Sequence, residues 1–135
     1  MNYFATGELL PAEDNPKRRH LEEDFQRQVV QFLRVAAPER MFFFHVPNGG
    51  QRHSKVAAKL IGQGLRAGVP DLAVIWEGQV LFLELKTARG ATSLVQRQVH
   101  KQLGLAGAWV WVCRTLDEVI EALTAFGIPL RARAL

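Results

Sequence analysis

The sequence predicts an α/β fold in which a small mixed β-sheet is flanked by helices, in the order α-β-α-β-β-α-β-α. Three features predict it. Segments with apolar residues every three or four positions alternate with short runs of β-branched and aromatic residues. Ser93-Leu94-Val95-Gln96 and Thr115-Leu116-Asp117-Glu118 are capping boxes, each opening a helical stripe. Glu77-Gly78 separates two apolar runs by the length of a hairpin turn, so those two strands pair antiparallel.

Residues 1–19 carry Pro11, Pro16 and scattered charges without periodicity and read as a loosely ordered arm. Leu21, Phe25, Val29, Phe32, Leu33 and Ala36 then recur at helical spacing, and Pro38 stops that helix. Met41 to Val46 is an aromatic strand closed by a turn at Pro47-Asn48-Gly49-Gly50. Ser54 caps a second helix from Lys55 to Gln63. The hairpin strands are Leu72 to Trp76 and Gln79 to Lys86, which places Glu84-Leu85-Lys86 on a central strand. Val95, Val99 and Leu103 form the stripe of a third helix that Gly107 ends. Trp109 to Cys113 reads as a buried strand, and Val119, Ile120 and Leu123 give the last helix its apolar side up to Gly127. The chain of 135 residues is 48% hydrophobic, enough for one core without disulfide or metal staples; residues 20–127 form the domain and 128–135 a tail.

Charge and cysteine usage narrow the class. The net charge is +4, and from Met41 to Pro70 there is no Asp or Glu, whereas Arg52, Lys55, Lys59 and Arg66 all fall there. A segment of one sign suggests a phosphate-facing surface. The single cysteine, Cys113, lies in an apolar run and reads as a buried thiol in a reducing compartment. The first residues lack the basic-then-apolar order of a leader, and no apolar run approaches the roughly 20 residues of a membrane span. The expectation is a cytoplasmic protein without a membrane partner.

Glu84 and Lys86 carry the first chemical signal. Side chains alternate along a strand, so Leu81, Leu83 and Leu85 share one face, while Phe82, Glu84 and Lys86 share the other. An ionised carboxylate on a central strand costs about several kcal/mol of desolvation unless something strong offsets it. Lys86 alone is an incomplete partner. A divalent cation is a better one, because Asp71 opens the neighbouring strand and can meet Glu84 where the strands part. Two carboxylates, waters and a phosphate oxygen make the hard-oxygen shell that Mg²⁺ or Mn²⁺ prefers, and the backbone carbonyl of Leu85 can add a ligand. Lys86 would hold a water or offset charge on a breaking phosphodiester. The competing reading is a hairpin end with a surface salt bridge.

Other residues stay open between two readings. Glu22 lies on the inner edge of the first helix, either as a third acid aimed at a metal or as favourable charge in a first turn. Gln96 either orients water or phosphate or is a boundary amide. Asn48-Gly49-Gly50-Gln51-Arg52 is either an anion-binding loop, with Arg52 as a bidentate donor, or an ordinary turn. His45, His53 and His100 are too scattered for a metal motif.

Taken in order, Glu22, Gly68-Val69-Pro70-Asp71, Glu84-Leu85-Lys86 and Gln96 resemble the PD-(D/E)xK nuclease superfamily. More narrowly they resemble its virus-type replication-repair nuclease (VRR-NUC) family, which Pro47-Asn48-Gly49-Gly50 with Arg52 and the Ser93-to-Gln96 helix opening favour. The resemblance spans about residues 21 to 125; Thr92 departs from it, standing where an aliphatic residue is more usual. It implies a restriction-endonuclease-like core and Mg²⁺- or Mn²⁺-dependent DNA cleavage. It carries over Asp71 and Glu84 as metal ligands, Lys86 as the catalytic lysine, and Glu22 and Gln96 as auxiliary groups. Asn48 and Arg52 match positions inferred to contact phosphate, beside the basic Lys55, Lys59 and Arg66. It further implies a homodimer acting on branched DNA, as Holliday junction resolvases do. Two alternatives remain: a scaffold of the same fold that binds nucleic acid without cutting, and a restriction-type enzyme that reads duplex sequence.

Overall fold

A computed structural model of the protein describes residues 16–47 and 54–131. Its elements are α1 (Pro16–Ala36), β1 (Phe42–His45), α2 (Ser54–Gly62), β2 (Leu72–Trp76), β3 (Gln79–Leu85), α3 (Leu94–Leu105), β4 (Trp109–Cys113) and α4 (Leu116–Ala125). The order is the predicted one, and the four strands form one mixed sheet, β1-β2-β3-β4.

β1 and β2 pair antiparallel, as do β2 and β3, whereas β3 and β4 run parallel. The β2–β3 turn explains its own residues. Glu77 (φ 50°) and Gly78 (φ 79°) both take left-handed backbone, the requirement of a two-residue hairpin whose twist matches its strands. β3 is central and carries apolar side chains on both faces. Leu81, Leu83 and Leu85 join Leu72, Val74 and Trp76 in a core that Val29, Phe32 and Leu33 of α1 and Val119, Ala122 and Leu123 of α4 close. Truncating one such buried leucine to alanine costs about 2–5 kcal/mol.

α3 lies on the opposite face. Its capping box is complete: Ser93 Oγ accepts the Gln96 N–H at 3.1 Å, and Gln96 Oε1 accepts the Ser93 N–H at 2.9 Å. The second predicted box is only half made. Thr115 Oγ1 accepts the Glu118 N–H at 3.1 Å, but the Glu118 carboxylate accepts from Arg114 N, at 2.6 Å, instead of from Thr115.

Four expectations change. α1 begins at Pro16, five residues before the first apolar position of its stripe; a proline fits the first helical position, and the charged turn that follows has no periodicity to reveal it. Leu21 is 57% exposed, because the buried stripe starts only with Phe25 and Val29, further along the helix. β4 is an edge strand, not a fully buried one: it pairs with β3 alone, Trp109 is 59% exposed and stacks edge-on against Phe126 at 6.4 Å, and only Cys113 is fully buried. Beyond Gly127 the chain still belongs to the core, since Ile128 is buried and Arg131 N donates to Ala36 O at 2.8 Å. Among the described residues no helix is long and apolar enough to cross a membrane.

Candidate active site

The hairpin register builds the site. Leu72 pairs with Leu83, and one further step sets Asp71 opposite Glu84 at the open end of β2 and β3. Asp71 Oδ2 accepts the Leu85 N–H at 2.7 Å, which fixes that carboxylate against the central strand. The Asp71 backbone is held as well: its carbonyl accepts the Val46 N–H at 2.9 Å and lies 2.8 Å from His45 Nδ1. A carbonyl only accepts, so Nδ1 carries the proton in that contact. Gln26 Nε2 of α1 lies 3.0 Å from the same nitrogen, but a protonated Nδ1 cannot accept from it, so the two are neighbours and not a second hydrogen bond.

β3 ends at Leu85, one residue short of the expected strand, so Lys86 directly follows it; Glu84 is 2% exposed and Lys86 4%, and among the described residues they are the only buried charged side chains. Two groups of α3 face the Glu84 carboxylate. Gln96 Nε2 donates to Oε2 at 3.4 Å, and His100 Nε2 donates to Oε1 at 3.2 Å. Gln96 is thereby used at both ends, with its oxygen in the helix cap and its nitrogen on the acid.

The electrostatics are those of two acids forced together. Burial, the negative charge of Glu84 and a hydrogen bond between the two carboxyl groups raise the Asp71 pKa from 3.8 to about 7, against the opposing pull of the Leu85 N–H and Lys86. Burial and the Lys86 charge lower His100, which keeps its imidazole neutral near pH 7. One ammonium does not neutralise the pair.

The loop after β3 completes one wall. Arg114 Nη1 donates to the Thr87 carbonyl at 2.8 Å and also to that of Gly90, stapling the turn that Gly90 N closes onto Thr87 O. A side chain at Gly90 would meet Thr87 Oγ1 at 3.0 Å and Glu22 Oε2 at 3.3 Å, so glycine lets the Glu22 carboxylate approach this loop.

A cleft of about 690 Å³ opens between α1 and the sheet end. Glu22, Asp71, Glu84, Leu85, Lys86 and Gln96 all lie on it. The Leu85 side chain is buried in the core, so its share of the cleft wall is backbone. Among the described residues no group of three or more His, Cys, Asp or Glu is gathered to hold a metal by itself. The donor set nonetheless fits a hard cation, since Mg²⁺ sites commonly use one or two carboxylates and fill the rest with water and substrate phosphate. Asp71, Glu84 and the Leu85 carbonyl would be its protein ligands.

The predicted basic contacts are not brought together with this cleft. Lys55 and Lys59 are exposed on α2, and Arg66 Nη2 donates to Gln102 Oε1 of α3 at 2.6 Å; none of the three is a lining residue. Asn48 and Arg52 lie outside the described residues. The cationic side chains that do line it, besides Lys86, are Arg19, Arg27 and Arg34 of α1. Their signal in the sequence was a spacing of eight and seven residues on one helix, masked by the acids between them. His100 was legible only as a scattered histidine, although four residues separate it from Gln96, one turn along the same helix.

Two solved structures share the architecture. One, described as a VRR_NUC domain protein, matches 76% of this chain and 84% of its own with a TM-score of 0.62 at 21% identity. Another, described as a VRR_NUC domain, matches 78% of this chain and 96% of its own with a TM-score of 0.53 at 20% identity. No family model matches the sequence, and no curated protein does. At that identity the likeness is one of fold: an α/β, restriction-endonuclease-like core of the VRR-NUC type.

Proposed function

We propose that this chain, which has a VRR-NUC-like nuclease fold, is a Mg²⁺- or Mn²⁺-dependent endonuclease that hydrolyses phosphodiester bonds in branched DNA. The observation that carries the reading is the Asp71–Glu84 pair. Two carboxyl groups set side by side at the end of a central strand, one with its pKa raised to about 7, destabilise the fold unless a cation sits with them. A site kept at such a cost is usually functional.

Asp71, Glu84 and the Leu85 carbonyl would hold the cation, which when bound supplies charge neutralisation at the phosphate and acidifies a coordinated water. The chain's own groups do the rest. The Leu85 N–H fixes Asp71, and Gln96 and His100 fix Glu84, so both acids are oriented before substrate arrives. Lys86, beside them on the cleft wall, offsets the charge that accumulates on the phosphate as the bond breaks. Glu22 reaches the same space from α1 and is placed to accept a proton from water. A homodimer in which each copy cuts one strand suits a domain that covers few base pairs, and the exposed Lys55, Lys59 and Arg66 would add charge toward flanking duplex.

A panel of linear, flapped and four-way DNA, incubated with and without Mg²⁺, tests this. Metal-dependent nicking of the branched forms, abolished by Lys86→Ala, is the expected result. Salt-sensitive binding without product would instead mark a non-cutting scaffold, and cleavage of plain duplex at defined sites a restriction-type enzyme.

A further inference from the structure

We propose that the flank of α1 carrying Arg19, Arg27 and Arg34 is a phosphate-binding rail for the DNA strand that leaves the Asp71–Glu84 pair; this rests on the nuclease reading above. All three arginines line the cleft that holds the acids. At 100° per residue they fall within about 80° of one another on the helix, to one side of the Val29–Leu33–Ala36 stripe that enters the core.

The charges along this flank are sorted. Its acids, Glu22 and Glu23, fall in the first half of α1, where the Glu22 carboxylate approaches Gly90, and from Gln26 onward the lining residues of α1 are Gln26, Arg27, Val30, Gln31 and Arg34. That distal half is cationic and neutral only. Arg34 stands in the last turn of α1, where a cation is favoured by the helix dipole anyway. Arg27 is in mid-helix and gains nothing from that effect. It pairs with Asp24 Oδ1 at 3.4 Å, an exposed ion pair that a phosphate can displace.

The dimensions suit a nucleic-acid strand. At about 1.5 Å per residue, Arg27 and Arg34 lie about 10 Å apart along the axis and Arg19 and Arg34 about 22 Å. One strand of duplex DNA carries a phosphate about every 3.4 Å of axis, so the rail spans about six phosphates. Guanidinium forks match phosphate oxygens in pairs. Without a bound cation the Asp71–Glu84 pair repels an approaching phosphodiester, and arginines in the same cleft supply an attraction that does not depend on the metal.

The experiment measures the affinity of a fluorescently labelled four-way DNA junction, in EDTA, across a series of NaCl concentrations. It compares the wild type, Arg27→Ala/Arg34→Ala, and Arg40→Ala/Lys101→Ala, the last removing two exposed charges outside this cleft. Every phosphate that no longer meets a cation lowers the log–log salt slope by about 0.7–0.9, so the rail variant should drop by about 1.4–1.8 and bind at least about tenfold more weakly at moderate salt. The control pair should keep the wild-type slope. Unchanged melting temperatures verify that all three proteins are folded. A rail variant with the wild-type slope, while the wild type binds tightly, overturns the rail and leaves the nuclease reading standing. Wild-type protein that neither binds nor cuts the junction overturns both.

Discussion

The Asp71 carboxylate accepts the backbone N–H of Leu85 at 2.7 Å, so the acid just before β2 is fastened to the end of β3, between Glu84 and Lys86. A backbone donor cannot rotate away. The two acids are therefore set by sheet register, while the remaining freedom of Glu84 is removed by Gln96 and His100 from across the sheet face.

Stability should depend on pH through Asp71. Its carboxyl titrates near 3.8 when unfolded and about 7 when folded, so between those values the folded chain holds a proton that the unfolded chain has released. Stability from this group therefore falls as pH rises from about 4 to about 7 and is flat above. Melting in EDTA between about pH 5 and about pH 8 should show a decline that Asp71→Asn removes, as asparagine carries no titrating proton. Identical pH profiles for the two proteins would contradict the assignment.

Neutralising either acid should separate stability from activity. Asp71→Asn and Glu84→Gln keep the shape of the side chain and remove the mutual repulsion, so in metal-free buffer each should melt at or above the wild-type temperature. Nuclease activity in Mg²⁺ should fall by about 100-fold or more. A loss of activity that merely tracks a loss of folding would refute the assigned roles.

Gly68 ties the Asp71 approach to α3. Its φ is +89°, and a Cβ there would meet Val95 Cγ1 at 2.9 Å, Val95 O at 3.0 Å and Val99 Cγ2 at 3.0 Å. Gly68→Ala should therefore destabilise by about 1–3 kcal/mol from overpacking, with backbone strain added. The control is Gly64→Ala: its φ of +108° carries strain too, but it meets nothing within 4 Å. Chemical denaturation should rank Gly68→Ala as the more damaging of the two.

Cys113 should be chemically silent in the folded protein. Burial, with the Glu118 and Glu121 charges adding to it, pushes the thiol up to about 12, and the residue is fully buried between the sheet and α4. Alkylation near pH 8 should be negligible until denaturant is added, because the thiolate is the reactive form. Rapid modification of the native protein would show that the β4 end opens readily.

Much of the fold and part of the site were legible in sequence because local rules and tertiary structure agree. The Glu77-Gly78 turn, the Ser93–Gln96 cap and the Leu81-Leu83-Leu85 face each follow from spacing, and the first of these fixes the register that brings Asp71 to Glu84. What spacing could not show were contacts between distant elements. His100 reaches Glu84 only because α3 crosses the sheet, and His45 meets the Asp71 carbonyl only through the β1–β2 pairing. The basic window from Met41 to Pro70 was a true feature of composition, yet its described cations are exposed elsewhere while α1, which carries many acids, supplies the arginines of the cleft. β4 reads as buried from its apolar run, but edge position is a property of sheet order, which no single segment encodes.

The most direct test is calorimetric titration of Mn²⁺ into the protein at about pH 8, above the range in which Asp71 holds its proton. The wild type should bind the ion, and Asp71→Asn and Glu84→Gln should each weaken that binding by at least about tenfold without loss of fold. Equal Mn²⁺ affinity in all three proteins would contradict the claim that this carboxylate pair exists to hold a cation.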